Sequence, residues 1–195
     1  MPNYGDPKYW EKRYEKQRDT TFDWLETYET LKTIMNDFGF DKSKIKTLML
    51  GCGNAEISYD MYEDGYKNIE NIDISKQVIN QMSNKYSSTS MSWKVMDVRK
   101  MKYENNTFDL IVDKSTIDAI LYGESSFVNV AIMINEVQRV LKVGGIYMII
   151  SYGHPENRVF HLERENLGFD VSVYSIKKDY KTDNDSDLEK VSNYI

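Results

Sequence analysis

The spacing of apolar and polar positions changes character along the chain. Over residues 7–18, Tyr9, Trp10, Arg13, Tyr14 and Gln17 fall on one face at helical spacing. A second stripe, Trp24, Tyr28, Leu31, Met35 and Phe38, predicts a helix over 24–38 that stops at Gly39. From Ile45 onward, short apolar runs alternate with helical stretches. Strands are predicted over 45–50, 68–74, 91–96, 108–113 and 146–152. Helices are predicted over 55–63, after a Ser75 cap with Val78, Ile79, Met82 and Tyr86 inward, and over 125–142, ending at Gly144 and Gly145. The run over 146–152 is strongly apolar and is expected at the centre of the sheet. Such alternation predicts an α/β fold: a doubly wound, mostly parallel sheet with helices on both faces.

The C-terminal part reads differently. Residues 169–176 alternate like a strand, 177–190 form a polar, solvated connection, and VSNYI reads as the start of another strand. With no internal repeat and no clean linker, the 195 residues are read as a single domain, 1–195. Within it, 1–40 is a helical N-terminal segment, 45–152 the sheet core, and 153–195 a C-terminal part.

Composition narrows the class. The net charge of −6 does not suit a basic nucleic-acid binder, so nucleic acid is not the expected partner. The single cysteine, Cys52, cannot form an internal disulfide, which fits a reducing compartment. No run of about 18 apolar residues marks a membrane-spanning helix. The mixed-charge N-terminus is neither a secretory signal nor a transit peptide, so cytoplasm is the expected location, with a nuclear pool left open.

The candidate chemistry lies at strand ends, where doubly wound sheets bind ligands. The first strand runs into Gly51-Cys52-Gly53, which permits tight turning and close backbone approach, although paired glycines equally mark an ordinary turn. The second ends at Asp73 and Ile74, about 20 residues further on, where a carboxylate can accept ribose hydroxyls. The third ends at Asp97 and Val98, positions suited to an adenine edge. A carboxylate at one strand end is commonly a helix cap, but three strand ends bearing site-type residues in register point to a nucleoside. Glu56 stands where a dinucleotide site wants a glycine, and a carboxylate in that first helical turn would repel pyrophosphate. A ligand with ribose and adenine but no phosphate fits better, and S-adenosylmethionine is one. Trp10, Tyr14 and Trp24 could attract its sulfonium. Spacing alone favours simple packing of these rings. Asp113 and Lys114 end the fourth strand; Asp113 could orient an amine nucleophile, or be a cap or salt-bridge partner. Cys52, His154 and His161 lack metal-ligand spacing, so no metal is expected, and both histidines are read as surface or rim residues.

Several segments in order carry a family resemblance: YWEKRY, FDWLETYETL, LGCGNAEIS followed by NIDIS, MDVRKM, FDLIVDKSTIDAIL and EVQRVLKVGG. Together they resemble the methyltransferase-like family of S-adenosylmethionine-dependent protein lysine methyltransferases, whose branches modify translation elongation factor one-alpha and citrate synthase. The resemblance covers roughly 9–152. It implies a class I methyltransferase fold and a cofactor, S-adenosylmethionine, leaving as S-adenosylhomocysteine. By resemblance, Trp10, Tyr14 and Trp24 cover the cofactor, Gly51 and Gly53 lie against its methionine portion, Asp73 holds the ribose, Ile74, Asp97 and Val98 meet the adenine, and Lys114 lies along the pocket. The implied partner is a protein substrate, with the elongation factor as the family-level expectation. Ser115 stands where family members often have glycine, and Met49 where the wider class carries an acid. The family fold ends in an inserted antiparallel strand, and the chain is expected to be cut short within it. The implied reaction is in-line methyl transfer to a lysine, with Asp113 as the candidate for orienting the amine. A small-molecule methyltransferase and a non-catalytic cofactor-binding scaffold are the alternatives.

Overall fold

A computed structural model describes residues 2–17, 20–177 and 192–194. Helix α1 (Pro7–Lys16) is capped by Asp6, whose carboxylate accepts the Lys8 amide, and starts on a proline, whose fixed φ suits a first helical turn. Helix α2 spans Tyr28–Asp37 and buries Tyr28, Leu31 and Met35. It is shorter than the stripe predicted: residues 24–27 are not helical, and Leu25 has φ 64°. Trp24 shares the helical spacing but belongs to the loop.

Five parallel strands follow, β1 (Lys46–Leu50), β2 (Asn68–Asp73), β3 (Ser92–Val95), β4 (Phe108–Lys114) and β5 (Leu141–Ile150). Between them run α3 (Ile57–Glu63), α4 (Lys76–Lys85), α5 (Thr116–Leu121) and α6 (Ser126–Val140). Ser75 caps α4 as expected, its hydroxyl accepting the Val78 amide. The sheet order is β3-β2-β1-β4-β5, so the winding reverses between β1 and β4. Alternate strand residues feed two cores. Met49, Leu110, Val112, Met148 and Ile150 pack with α2, α3 and α4 on one face. Leu48, Leu50, Ile111 and Ile149 pack with α5 and α6 on the other. This is the doubly wound architecture that the alternation implied.

Several expectations change. Strand β5 begins at Leu141 and takes in Gly144 and Gly145, with a register shift between Phe108 and Leu110 in its partner. It is an edge strand among the described residues, not a central one. Its apolar run reflects cover on both faces, and that does not require a strand on both sides. The alternating stretch 169–176 is strand only over β6 (Ser175–Lys177), which pairs antiparallel with β7 (Ser192–Tyr194) in a separate two-stranded sheet. Helix α5 went unforeseen because six residues give too little period to detect. Most of the polar connection expected over 177–190 lies outside the described residues. The remaining helix, α7 (Glu156–Leu162), buries His161 against Phe160 and Phe127, with ring centroids 3.9 and 5.5 Å away. His161 is therefore an interior residue, and burial pushes its imidazole below the usual histidine range.

Leu31 is fully buried on the inward face of α2. Leu31→Ala should lower the unfolding free energy by about 2–5 kcal/mol. Trp24→Ala, outside the helix, should lower it by less. Urea unfolding of both variants checks the helix boundary as well as the core.

Candidate functional site

A cavity of about 430 Å³ opens at the carboxyl ends of β1, β2 and β4, within the size range of small-molecule sites. Its floor is the turn after β1. Gly51 and Gly53 have φ 53° and 54°, a region costly for other residues. Space gives a second reason for glycine. A Cβ on Gly51 would lie 2.3 Å from the Thr116 hydroxyl, and one on Gly53 2.9 Å from the Tyr14 hydroxyl. The next residue, Asn54, is buried; its carbonyl oxygen accepts the Phe22 amide at 3.2 Å and its amide nitrogen donates to the Thr20 carbonyl at 2.7 Å.

Asp73 ends β2 and lines the cavity. One carboxylate oxygen accepts the Gly53 amide at 3.0 Å and the other the Ser75 amide at 2.9 Å. Each oxygen keeps a further lone pair for a ligand hydroxyl. Burial outweighs these amides and pushes the carboxyl up to about 6. Ile74, Met96 and Val98 form an apolar wall beside it. Asp97 also lines the cavity, in the loop after β3, but both its oxygens are held by the Arg99 guanidinium at 2.7–3.2 Å. Burial opposes ionisation there, yet the combined Arg99 bonds keep the carboxyl below its usual range.

The N-terminal segment covers the cavity. Trp10, Tyr14 and Trp24 all line it, with Trp10 stacked on Tyr14 at 5.9 Å. The Arg13 guanidinium lies 4.4 Å from the Phe22 ring and 5.5 Å from Trp24, so these rings already attract one cation. Lys114, only 7% exposed at its side chain, donates to the Trp24 carbonyl at 3.0 Å and pairs with Asp23. Burial pushes its ammonium down to about 7.

The expected site residues thus converge on one cavity, except for one. Asp113 is fully buried and does not line it. One of its oxygens accepts the amides of Thr116 and Ile117 at 2.8 and 3.2 Å, capping α5, and the other accepts the Tyr147 hydroxyl at 3.0 Å. The geometry here gives it the cap role rather than contact with an amine. Glu56 is a further correction: it pairs with Lys85 and Tyr86 and does not line the cavity. Lys85 thus offsets the charge that was expected to repel pyrophosphate. Ser115 adopts φ 67°, which explains why glycine suits that turn.

Other wall residues gave no sequence signal. Tyr4 contacts Trp10 and Tyr122 by its ring, and Gly5 lies so close to Gly123 that a Cβ on it would sit 2.3 Å from the Gly123 Cα. A glycine before a helix reads only as a turn, and nothing local reveals such a distant contact. At the rim, Tyr122 and Tyr152 are 66% and 62% exposed. Asp118 there is held by Arg158 at 2.6 Å and by the Ser151 hydroxyl at 2.5 Å. Among the described residues no cluster suits a metal ion, and no helix is long and apolar enough to cross a membrane.

Residues 41–182 match the sequence profile of a methyltransferase domain. The chain is 38% identical over 169 residues to the "eEF1A lysine and N-terminal methyltransferase" of Mus musculus, covering 83% of this chain and 24% of that protein. The Homo sapiens protein of the same name is 37% identical over 180 residues. The chain thus spans about a quarter of the length of these relatives. Mouse "EEF1A lysine methyltransferase 4" is 29% identical over 168 residues, covering 81% of this chain and 65% of that one. Among solved structures, an S-adenosylmethionine-dependent methyltransferase of Methanosarcina mazei superposes with a TM-score of 0.62 at 17% identity, over 83% of this chain and 93% of that one, which shows the fold.

Asp113 supplies a pH test. Burial pushes its carboxyl up to about 7, well above an unfolded aspartate near 4. The folded chain therefore binds this proton more tightly than the unfolded chain, and its contribution to stability is lost as pH rises from about 4 through 7. Asn can keep the two amide bonds and donate to Tyr147. Asp113→Asn should gain on the wild type by about 1–3 kcal/mol between pH 5 and pH 8. Urea unfolding at the two pH values measures the difference.

Proposed function

The chain belongs to the methyltransferase-domain family, and on that premise we propose that it transfers the methyl group of S-adenosylmethionine to a lysine side chain of a protein. The observation that carries the cofactor assignment is the Asp73 carboxylate, held by two backbone amides beside the Gly51–Gly53 turn with lone pairs left for ribose hydroxyls. The apolar wall of Ile74, Met96 and Val98 suits an adenine, with Asp97 and its amide neighbour at the edge. The aromatic cover suits a sulfonium, worth about 0.5–2 kcal/mol per favourable ring contact. When bound, the cofactor supplies an electrophilic methyl carbon and a thioether leaving group.

The chain's own residues then have to align and exclude water. Gly51 and Gly53 let backbone approach the ligand, while Trp10, Tyr14 and Trp24 close the site from the N-terminal side. Alignment carries much of the rate in a displacement with little acid–base work. A lysine amine, with an ordinary pKa of about 10.4, must arrive neutral, and burial beside a positive centre lowers that value. Asp113 enters this reading as a positioning residue, through its cap on α5. The exposed aromatic rim favours a protein acceptor over a small molecule in a lidded cavity. The relatives' names make elongation factor one-alpha the first acceptor to try. Cytoplasm is the location in keeping with one unpaired, buried cysteine.

Two measurements test this. Radiolabelled S-adenosylmethionine, the chain and purified elongation factor one-alpha should yield label on a lysine, located by mass spectrometry. Label confined to the N-terminal amine would change the acceptor, and no transfer to any protein in a cell extract would overturn the protein-acceptor assignment. Calorimetry with S-adenosylmethionine and NAD should show binding of the first only. Because ribose hydroxyls favour the ionised carboxylate, cofactor affinity should rise about tenfold from pH 5 to pH 7.5, as Asp73 ionises through about 6. Asp73→Ala should bind at least about tenfold more weakly at pH 7.5.

A further inference from the structure

The loop over 20–25 carries Phe22, Trp24 and Leu25 into the cavity wall, and two buried side chains hold it. At one end Asn54, in the turn after β1, takes the Phe22 amide and donates to the Thr20 carbonyl. At the other, Lys114, at the end of β4, donates to the Trp24 carbonyl and pairs with Asp23. Both anchors sit in motifs that read, in sequence, as ligand contacts. Both grip backbone of the covering loop instead. Directly after the second anchor the backbone is strained: Leu25 has φ 64°, a region that disfavours a side chain of its kind. Such a conformation persists only where its surroundings fix it.

We propose that Asn54 and Lys114 form a two-point clamp that positions the Thr20–Leu25 loop over the bound methyl donor, so that Lys114 governs how long the ligand stays. This rests on the cofactor reading above but assigns Lys114 an action through the loop. The two strand ends that reverse the winding, β1 and β4, would then set the ligand's floor and its cover together. Loss of either anchor should release the loop while leaving the floor intact.

The test uses Lys114→Met, Asp23→Ala and the double variant, with S-adenosylhomocysteine as the probe. Wild-type binding, measured first, establishes the site; if it fails, the cofactor reading fails and the clamp is tested by the second readout alone. Each single variant should weaken binding about tenfold, as expected for losing one charged hydrogen-bonded contact, mainly through faster dissociation. The double variant should be no weaker than Lys114→Met, because both changes break the same contact. The second readout needs no ligand: hydrogen exchange at the amides of Phe22–Leu25 should speed up in Lys114→Met, Asp23→Ala and Asn54→Ala, with exchange in β1 and β4 unchanged. Additive losses for Lys114 and Asp23 would place Lys114 directly on the ligand and overturn the proposal. So would unchanged exchange in the loop.

Discussion

The Thr116 hydroxyl donates to the Leu50 carbonyl at 2.8 Å, joining the end of β1 to the start of α5 across the point where the winding reverses. Much of the site depends on that bond. It joins two strand ends beyond the point where they pair with each other, since the β1–β4 register stops at Leu50 and Asp113. It needs Thr116 brought close, which the Asp113 cap and the left-handed Ser115 achieve. It also leaves no room at Gly51, whose missing side chain is occupied by Thr116 itself. The opening glycine and the DKST turn are therefore two halves of one constraint. Changing either would move the cavity floor.

This constraint explains why Asp113 is buried, whereas Asp73, at the corresponding end of β2, is not withdrawn from the ligand. Both are carboxylates taken up by backbone amides at strand ends. Asp113 spends both oxygens on α5 and Tyr147 and lies beneath the floor. Asp73 takes one amide on each oxygen and faces the cavity. Burial raises both, but only Asp73 has a ligand-side partner that would favour its charged form. A carboxylate at a strand end carries no mark in the sequence that separates these fates. The difference lies in whether a helix begins immediately, as α5 does after β4, or after a side-chain cap of its own, as α4 does after Ser75.

What was legible in the sequence follows the same division. Alternating strand and helix periods survive tertiary context, so the doubly wound sheet was readable, as were the residues at strand ends. Residues in loops were readable only as types. Trp24 keeps a helical interval from Tyr28 and yet sits in a loop, because its ring is held by the cavity and its carbonyl by Lys114. His161 is polar and lay beyond the recognised motifs, but packing against two phenylalanines buries it. Glu56 occupied the right position for repulsion, and Lys85 and Tyr86, one helix away, draw it off. Each failure is a long-range partner overriding a local expectation.

The cavity's acids bear on the kind of chemistry it can do. Asp73, Asp97 and Asp118 line it. Asp97 is gripped by Arg99, and Asp118 by Arg158, Ser151 and the Tyr152 amide. Of the three, Asp73 alone keeps its oxygens free of a cation, and it lies beside the glycine turn. A general base in direct contact with an acceptor would need a carboxylate or imidazole left unpaired at the mouth, and these three are spoken for. Methyl transfer to a neutral amine does not require one, because the proton can leave after the new bond forms. A site built in this way spends its buried polar groups on holding shape, and a transfer carried out there would draw its rate from the alignment that shape enforces.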